Sequence, residues 1–523
     1  MPGRRPAARC YAPRAQRNRC AVHPLKNHLR TILRHLLVGA IAAAALAACR
    51  PGGGDPVAQL EGCRIPGIDR EVLCGTVSMP EDPDQPQGKA IEIRFAVAPA
   101  VARNKQPDPV FVLAGGPGQA ATRTGRQMLA VLNEVNARRD IVFIDQRGTG
   151  GSHPLECKVE ETSISATFEQ SQQIERLAAC LKELRGDLRQ FATWIAVRDF
   201  DAVRARLGAE QVNLWGGSYG TRAALEYMRQ YPQRVRSAVL DGVAPPDMVL
   251  PVSFALDADA ALSALVDACA RDERCVQRYP GMTKRIEDLL ARADLGIEVR
   301  VPHPLTGLPE PIRIDRRVLS SLLRVPLYSP QLSAVLPYAL AQATDGDFTP
   351  LVALSAAVAG GINENFAAGM HFAVVCAEDM PRVDAGQRAK IAVTRFGNAF
   401  LDIYERACKG VPSRPVPPGF YEIPASRTPV LVLSGGLDPA TPPRHGARVA
   451  EQLGNARHIV APYLGHGIST NGCAPTQLAR FIRDAGFDKV DAACLTRLPA
   501  ATFFEPIDAA RAAAPAMTRE PAR

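Results

Sequence analysis

Seven short apolar segments, separated by stretches with helical periodicity, constrain the fold of this chain most strongly. They are IEIRFAVAP (91–99), PVFVLAGG (109–116), DIVFIDQ (140–146), VNLWGG (212–217), SAVLDGV (237–243), PVLVLSGG (429–436) and RHIVAPY (457–463). Several are rich in Val, Ile and Leu throughout, as strands buried on both faces are. Helical patterns lie between them, for example at 194–208 and 221–232. The alternation predicts an α/β fold with a mostly parallel central sheet.

The alternation is interrupted between residues 247 and 427. This stretch contains helical patterns, such as ALDADAALSALVDACA and RRVLSSLLRV, but few runs that resemble buried strands. An insertion of this length within one sheet predicts a mainly helical cap domain over the active face. The sheet-forming core then comprises residues 61–246 and 428–500, and residues 501–523 form a tail.

The net positive charge of the chain arises from its first 49 residues. The formal net charge is +9, and residues 1–49 contain nine Arg and Lys and no acidic residue. The remainder is balanced, with 53 basic and 53 acidic residues. A neutral body gives no electrostatic reason to expect a nucleic-acid partner.

The basic segment leads into LLVGAIAAAALAAC (36–49), which has the layout of a secretory signal. This apolar run is shorter than the ~20 residues that span a bilayer. Its end, Leu46-Ala47-Ala48-Cys49, resembles a bacterial lipoprotein signal, in which Cys49 carries lipid after cleavage. We therefore expect a leader over 1–48 and a Gly/Pro tether over 49–60. The protein is then exported and anchored to a membrane in the periplasm or at the cell surface. The alternative is an ordinary signal peptide and a secreted protein.

Cysteine usage agrees with export. Ten of the 13 cysteines follow Cys49, and an even number in an exported chain indicates disulfides. Pairing each of the ten with its neighbour in sequence would close five local loops, although spacing alone leaves the connectivity open. Metal binding is the weaker alternative, because no C-x-x-C motif is present and histidines do not accompany the cysteines at ligand spacing.

The motif Gly216-Gly217-Ser218-Tyr219-Gly220 has the pattern G-x-S-x-G. A buried-strand pattern precedes it and a helical pattern follows it, as required when a nucleophilic serine occupies a sharp strand-to-helix turn. A glycine-rich turn with an incidental serine is the alternative. The context predicts that Ser218 is a catalytic nucleophile.

A serine nucleophile needs a base and an orienting carboxylate, which in this architecture follow in the order Ser, acid, His. Asp438 ends the strand pattern PVLVLSGGLD, and His466 lies between two glycines just after the next strand pattern. We expect Asp438 to orient His466, and His466 to deprotonate Ser218. An ordinary turn Asp and a loop His are the alternatives.

Two loops at strand ends are candidates for supporting the reaction. In the Gly-Gly-Pro-Gly loop, Gly116 is expected to donate its N–H to the developing oxyanion, together with the N–H of Tyr219. A plain turn is the alternative. Asp145 and Arg147, at the end of another strand, are expected to form a buried structural pair that shapes this loop.

The strings AGGPG, DQRGTGGS, LWGGSYGT, YPQRVRSAVLDGV, LVLSGGLDPATP and YLGHG occur in that order over roughly residues 60–500. They resemble the proline iminopeptidase and tripeptidyl aminopeptidase branch of the α/β-hydrolases, and the segment from Leu431 past Cys494 resembles the secreted tripeptidyl aminopeptidase group. The resemblance implies an α/β-hydrolase fold and a serine exopeptidase that acts on peptides with a free N-terminus. One departure is Ala114, where proline iminopeptidases usually have His; it weakens a strict proline iminopeptidase assignment.

Such an aminopeptidase needs a carboxylate to bind the substrate's ammonium group. The candidates are Glu378 and Asp379 in VVCAEDMP, a string that resembles a Cys-Ala-acid element of the secreted group, although adjacent carboxylates are more often structural. Cys376 beside them is expected to pair with Cys408. No cofactor or metal is expected. The two alternatives to an exopeptidase are an exported esterase or amidase acting on small molecules and a non-catalytic binding lipoprotein.

Overall fold

The computed structural model describes residues 56–157, 170–303, 306–363 and 366–506. The expected leader, Cys49 and most of the tether lie outside the described residues, as does most of the tail, so the prediction of a lipid anchor stays a prediction. Pro56–Gln59 forms a short 3-10 helix. None of the helices in the described ranges is both long and apolar enough to cross a membrane.

The core of the chain from residue 60 onward is a sheet of nine strands, in the order β1-β2-β3-β5-β4-β6-β7-β10-β11. Pairing is antiparallel from β1 to β5 and parallel across the six strands from β5 to β11. The strands are β1 (Glu61–Cys63), β2 (Val72–Pro80), β3 (Ala90–Ala98), β4 (Val110–Leu113), β5 (Ile141–Ile144), β6 (Val212–Gly217), β7 (Val235–Asp241), β10 (Ser426–Gly435) and β11 (Gly454–Ala461).

All seven predicted strands belong to this sheet, which confirms the α/β class and the mostly parallel sheet. Strands β4 and β5 are buried at every position, as expected of strands covered on both faces. The sequence did not predict the antiparallel edge formed by β1 and β2. It also did not predict a separate hairpin of β8 (Ile297–Pro302) and β9 (Pro309–Ile314) within the insertion.

Helices connect the strands and fill the insertion. The α-helices are α1 (Gly125–Val131), α2 (Asn133–Asn136), α3 (Gln170–Glu183), α4 (Thr193–Arg206), α5 (Tyr219–Gln230), α6 (Leu250–Arg271), α7 (Glu273–Arg278), α8 (Met282–Leu295), α9 (Arg316–Arg324), α10 (Pro330–Ser333), α11 (Leu336–Thr344), α12 (Thr349–Asn363), α13 (Ala368–Glu378), α14 (Ala385–Ala392), α15 (Leu401–Cys408), α16 (Pro443–Leu453), α17 (Ala474–Asp484) and α18 (Ala492–Thr496). The further 3-10 helices are Ala121–Arg123, Leu188–Gln190, Pro232–Arg234, Val325–Tyr328 and Met380–Arg382.

The insertion between β7 and β10 contains ten of these helices and the hairpin. It has a hydrophobic core of its own, to which α6, α8, α9, α11 and α12 contribute buried side chains such as Leu262, Ile286, Leu319, Leu336 and Leu351. We call this region the cap. Its helix α13 packs instead against the sheet-forming part of the chain, where Met370 and Val374 share a buried cluster with Tyr219.

Five disulfides join the ten cysteines that follow Cys49. Each bond connects neighbours in sequence: Cys63–Cys74, Cys157–Cys180, Cys269–Cys275, Cys376–Cys408 and Cys473–Cys494. This is the local pairing that spacing alone had left open, and it includes the expected Cys376–Cys408 bond. Five disulfides are typical of proteins from oxidising, extracytoplasmic compartments.

Candidate active site

Ser218 occupies a strained turn between β6 and α5. Its φ of 56° and ψ of −125° lie in a region that residues other than glycine rarely adopt. The turn is closely packed, because a Cβ added at Gly220 would lie 2.1 Å from the carbonyl oxygen of Leu113. Ser218 N donates to the carbonyl of Asp241 at the end of β7 (2.8 Å). The chain therefore has the geometry of a nucleophile elbow, with the serine at the carboxyl edge of the parallel strands.

His466 and Asp438 form a hydrogen-bonded pair beyond the carboxyl ends of β11 and β10. His466 Nδ1 lies 2.8 Å from Asp438 Oδ2. Asp438 also accepts hydrogen bonds from the backbone N–H groups of Ala440 and Thr441 and from Thr441 Oγ1, each at 2.8 Å. A carboxylate held in this way fixes the imidazole so that Nε2 is left to accept a proton.

The two partners shift each other's pKa in opposite directions. Burial by itself would raise the pKa of Asp438, but the adjacent His466 and the N–H donors outweigh it and lower that pKa below its usual value. Burial by itself would lower the pKa of His466, but attraction by Asp438 outweighs it and raises that pKa above its usual value. The pair therefore favours an imidazolium next to a carboxylate, the state that forms when a histidine takes a proton from a serine.

Two further residues, neither of them predicted from the sequence, hold His466 in place. Asp241, at the end of β7, accepts hydrogen bonds from the N–H groups of Ile468 (2.8 Å) and Ser469 (2.8 Å), which fixes the loop that follows His466. Tyr328 of the cap accepts a hydrogen bond from His466 N (3.1 Å), and its ring meets the imidazole edge to face at 5.2 Å. The strand-end position of Asp241 was a usable signal, whereas nothing in the cap sequence marked Tyr328.

A cavity of about 270 Å³ opens at Ser218. Gly116 and Tyr219, the two candidate oxyanion donors, both line it. Since Tyr219 is the first residue of α5, its N–H has no acceptor within the helix and is available to a ligand. The structure thus brings Ser218, Gly116 and Tyr219 to one cavity.

The cap supplies most of the remaining lining, which is largely aromatic. The side chains come from α6, α9, the Val325–Tyr328 turn, α13, the residue Phe366 before α13, and α15: Leu250, Phe254, Arg324, Tyr328, Phe366, His371, Phe372 and Tyr404. His371 also ties the cap to the Gly-Gly-Pro-Gly loop. Burial lowers its pKa to about 4, so it is neutral, and its Nδ1–H donates to the carbonyl of Pro117 (3.0 Å). Its Nε2 then accepts a hydrogen bond from Tyr404 Oη (2.7 Å).

Glu378 and Asp379 lie at the end of α13 and are completely buried. Neither is among the residues that line the cavity. Both are paired with the buried Arg222, at 3.2 Å from Glu378 Oε2 and 3.0 Å from Asp379 Oδ1. Burial raises the pKa of Glu378 to about 7, against the opposing effect of Arg222. The structure does not bring these two carboxylates to the surface where a substrate's ammonium group would bind, and their proposed role stays a prediction.

A hydrogen-bonded chain links Glu378 to the first helical residue of the elbow. Thr193 donates its N–H and its hydroxyl to the two oxygens of Glu378 (2.7 and 3.0 Å). Tyr219 Oη then donates to Thr193 Oγ1 (2.6 Å) and accepts from Gln146 Nε2 (3.0 Å). Glu378 therefore positions the side chain of Tyr219 through one intervening residue.

The expected pair of Asp145 and Arg147 does not form. Arg147 is instead paired with the buried Asp199 of α4 through two hydrogen bonds of 2.7 and 2.8 Å. Asp145 accepts hydrogen bonds from Thr122 N and Oγ1 (2.9 Å each) and from Gly151 N (3.0 Å). The strand ends at Ile144, so Asp145 and Arg147 both lie beyond it, where the alternation of strand side chains no longer places residues i and i+2 on one face. Each of these groups is nevertheless buried and structural.

Within the described ranges, no group of three or more His, Cys, Asp or Glu side chains is arranged to hold a metal ion. The chemistry that the site can perform with its own residues is acyl transfer to Ser218, with Asp438 and His466 handling the proton.

Two segments match known families. Residues 108–273, which contain the elbow, match the family described as "alpha/beta hydrolase fold", and residues 392–494, which contain Asp438 and His466, match the family described as "TAP-like protein". The chain therefore has the α/β-hydrolase fold, and its C-terminal part contains a TAP-like segment.

Several curated relatives are named as peptidases. Serine protease Hip1 of Mycobacterium tuberculosis is 24% identical over 424 residues, which cover 75% of this chain and 80% of the relative. Tripeptidyl aminopeptidase of Streptomyces lividans is 28% identical over 196 residues, 34% of this chain and 36% of the relative. Proline iminopeptidase of Neisseria gonorrhoeae is 33% identical over 135 residues, 26% of this chain and 32% of the relative. The resemblance expected from the motifs is confirmed, and these relatives support a peptidase of the α/β-hydrolase type.

Proposed function

We propose that this protein is an exported serine exopeptidase that releases single residues or tripeptides from peptides with a free N-terminus. Ser218 attacks the scissile carbonyl, and His466 accepts its proton while Asp438 holds the imidazole. The N–H groups of Gly116 and Tyr219 bind the oxyanion. His466 then gives the proton to the leaving amine, and water hydrolyses the acyl-enzyme by the reverse transfers.

The observation that carries this proposal is the strained backbone of Ser218 at the same edge of the sheet as a hydrogen-bonded His466–Asp438 pair. A positive φ at a non-glycine residue costs on the order of 1–3 kcal/mol, and such strain is concentrated at functional sites. The names of the tripeptidyl aminopeptidase and proline iminopeptidase relatives support the action on N-termini. We propose further that residues 1–48 are removed on export and that Cys49 anchors the protein to a membrane.

One observation favours a second candidate, an esterase or amidase acting on small molecules. Among the described residues that line the cavity, no carboxylate is present to bind an ammonium group, and the lining is mainly aromatic. The same catalytic residues would serve an ester, so the choice between the two depends on recognition of the substrate's amino group.

A panel of chromogenic amides of one to three residues, each with a free and an acetylated N-terminus, separates the candidates. We expect cleavage of the free peptides, at least tenfold slower cleavage of the acetylated ones, and loss of both in Ser218→Ala. Equal cleavage of free and acetylated substrates would refute the exopeptidase, and full activity in Ser218→Ala would refute the mechanism.

A further inference from the structure

The cavity at Ser218 contains one cationic side chain, that of Arg324 at the end of α9. In the described part of the chain, no acidic group forms an ion pair with it, and its Nε is buried without a hydrogen-bond partner. Arginines that are withdrawn from water are ordinarily paired with a carboxylate. This one is held next to the nucleophile with part of its hydrogen-bonding capacity unused.

Aromatic side chains hold the guanidinium in place without neutralising it. Its Cζ lies 4.4 Å from the ring centre of Phe254, 5.0 Å from that of Tyr328 and 5.4 Å from that of Phe400. One Nη also donates a hydrogen bond to Tyr328 Oη. Cation–π contacts fix the orientation of the planar group, so little further freedom is lost when it binds a ligand.

The position of Arg324 is also tied to the reaction. Tyr328, to which it donates, contacts the ring of His466 and accepts a hydrogen bond from the backbone of that residue. The charge of Arg324 opposes protonation of His466. A ligand that neutralised the guanidinium would remove this opposition, so the bound ligand and the imidazolium would stabilise each other.

We propose that Arg324 is a specificity-determining residue that binds a carboxylate of the substrate, so that the enzyme prefers acidic substrates. This inference rests on the proposed hydrolysis at Ser218. A guanidinium presents donors in a fork that matches a carboxylate, and both charges gain from pairing in a partly closed cavity. The carboxylate comes either from an acidic side chain on the acyl side of the scissile bond or from a free C-terminus on the leaving side. The cavity, at about 270 Å³, is below the usual size of drug-sized ligand pockets and suits one such group.

The test compares matched substrates in wild type, Arg324→Gln, Arg324→Lys and Arg317→Gln. Arg317 lies on the same helix, partly exposed and paired with Asp315, and serves as the control. The first arm uses chromogenic tripeptide amides that end in Glu or in the isosteric Gln. The second uses short peptides with a free or an amidated C-terminus. Thermal unfolding of each variant shows that it is folded.

Because charged hydrogen bonds contribute about 1.5–3 kcal/mol, we expect wild type to prefer the acidic member of one pair by about 10- to 100-fold in kcat/KM. Arg324→Gln should bring the ratio of kcat/KM for the acidic and the neutral member to about one, whatever its absolute rate on the neutral member. Arg324→Lys should retain part of the preference, and Arg317→Gln should match wild type. The arm that shows the preference identifies which carboxylate binds.

Cleavage of the neutral and acidic members at equal rates by wild type would overturn the proposed role of Arg324, but it would not contradict the proposed peptidase activity. If no peptide is cleaved, nitrophenyl esters of succinic acid and of its monomethyl ester replace the peptides. An Arg324-dependent preference for the acid ester would then support the carboxylate site and reject the peptidase, and equal rates would reject both.

Discussion

Gly242 follows β7 and has a φ of +67°, and the space where its side chain would lie is occupied by Thr441 and His466. A Cβ at this position would meet Thr441 Oγ1 at 2.9 Å, His466 Cε1 at 3.2 Å and His466 Nδ1 at 3.5 Å. Gly242→Ala should therefore displace His466 by a few tenths of an ångström or more. Gly281, at the start of α8, has nearly the same φ of +69° but nothing within 4 Å of its Cβ position, so Gly281→Ala is a matched control.

The left-handed backbone costs an alanine about 1–2 kcal/mol at either position. Both variants should thus lose that amount of unfolding free energy, and Gly242→Ala somewhat more because of the contacts. Only Gly242→Ala should react slowly, by about 10- to 100-fold, with a fluorophosphonate probe that phosphonylates the nucleophilic serine with loss of fluoride, since small misplacements of catalytic groups have effects of this size. The rate of probe labelling and urea unfolding with intact disulfides measure the two quantities. Equal labelling rates in both variants would refute the proposed role of His466 in activating Ser218.

Three further perturbations have calculable outcomes. Arg147→Met leaves Asp199 buried and unpaired, so urea unfolding should show a loss of about 3–5 kcal/mol, and a loss below about 1 kcal/mol would contradict the buried pair. The rate of probe labelling should fall as the pH decreases through the raised pKa of His466, because only the neutral imidazole accepts a proton. Asp438→Asn should move the inflection of this pH–rate profile to lower pH. An inflection at the same pH in the variant would exclude the His466–Asp438 pair as its source. Folding raises the pKa of Glu378 from 4.5 to about 7, so the protonated carboxyl stabilises the fold below pH 4.5 and this stabilisation is lost by about pH 7. The free energy of unfolding should therefore fall over this range by on the order of 3 kcal/mol. Glu378→Gln should flatten this dependence of the unfolding free energy on pH.

Periodicity was sufficient to predict the sheet. The strands that the sequence identified are continuous apolar runs, and the mostly parallel sheet follows from their alternation with helices. Strand β1 was missed because it is only three residues long, and β2 was missed because VLCGTVSMP is half exposed, includes polar residues and ends in a proline. The hairpin β8–β9 was missed because its strands alternate apolar and charged residues, as in IEVRV, and lack the continuous apolar runs that mark strands buried on both faces.

The site was predictable only where chain order and strand ends fix the geometry. Ser218, Asp438 and His466 each follow a strand of the same sheet, so parallel pairing brings them to one edge. Chain order and strand ends do not determine which residues the side chains of the cap contact. Glu378 and Asp379 were selected as binding groups from their sequence, and only the fold places them against Arg222. Arg324 lies on an ordinary amphipathic helix, and its position in the cavity depends on the tertiary structure of the cap.

The pairing of the cysteines has a consequence for how the molecule is made. Every bond joins a cysteine to the next one along the chain, over separations of 6 to 32 residues. A chain that enters an oxidising compartment with its N-terminus first presents each cysteine to its correct partner before any later one arrives. Oxidation in order of emergence therefore yields the native connectivity without rearrangement when Cys49, the cysteine before Cys63, carries lipid and cannot pair with it.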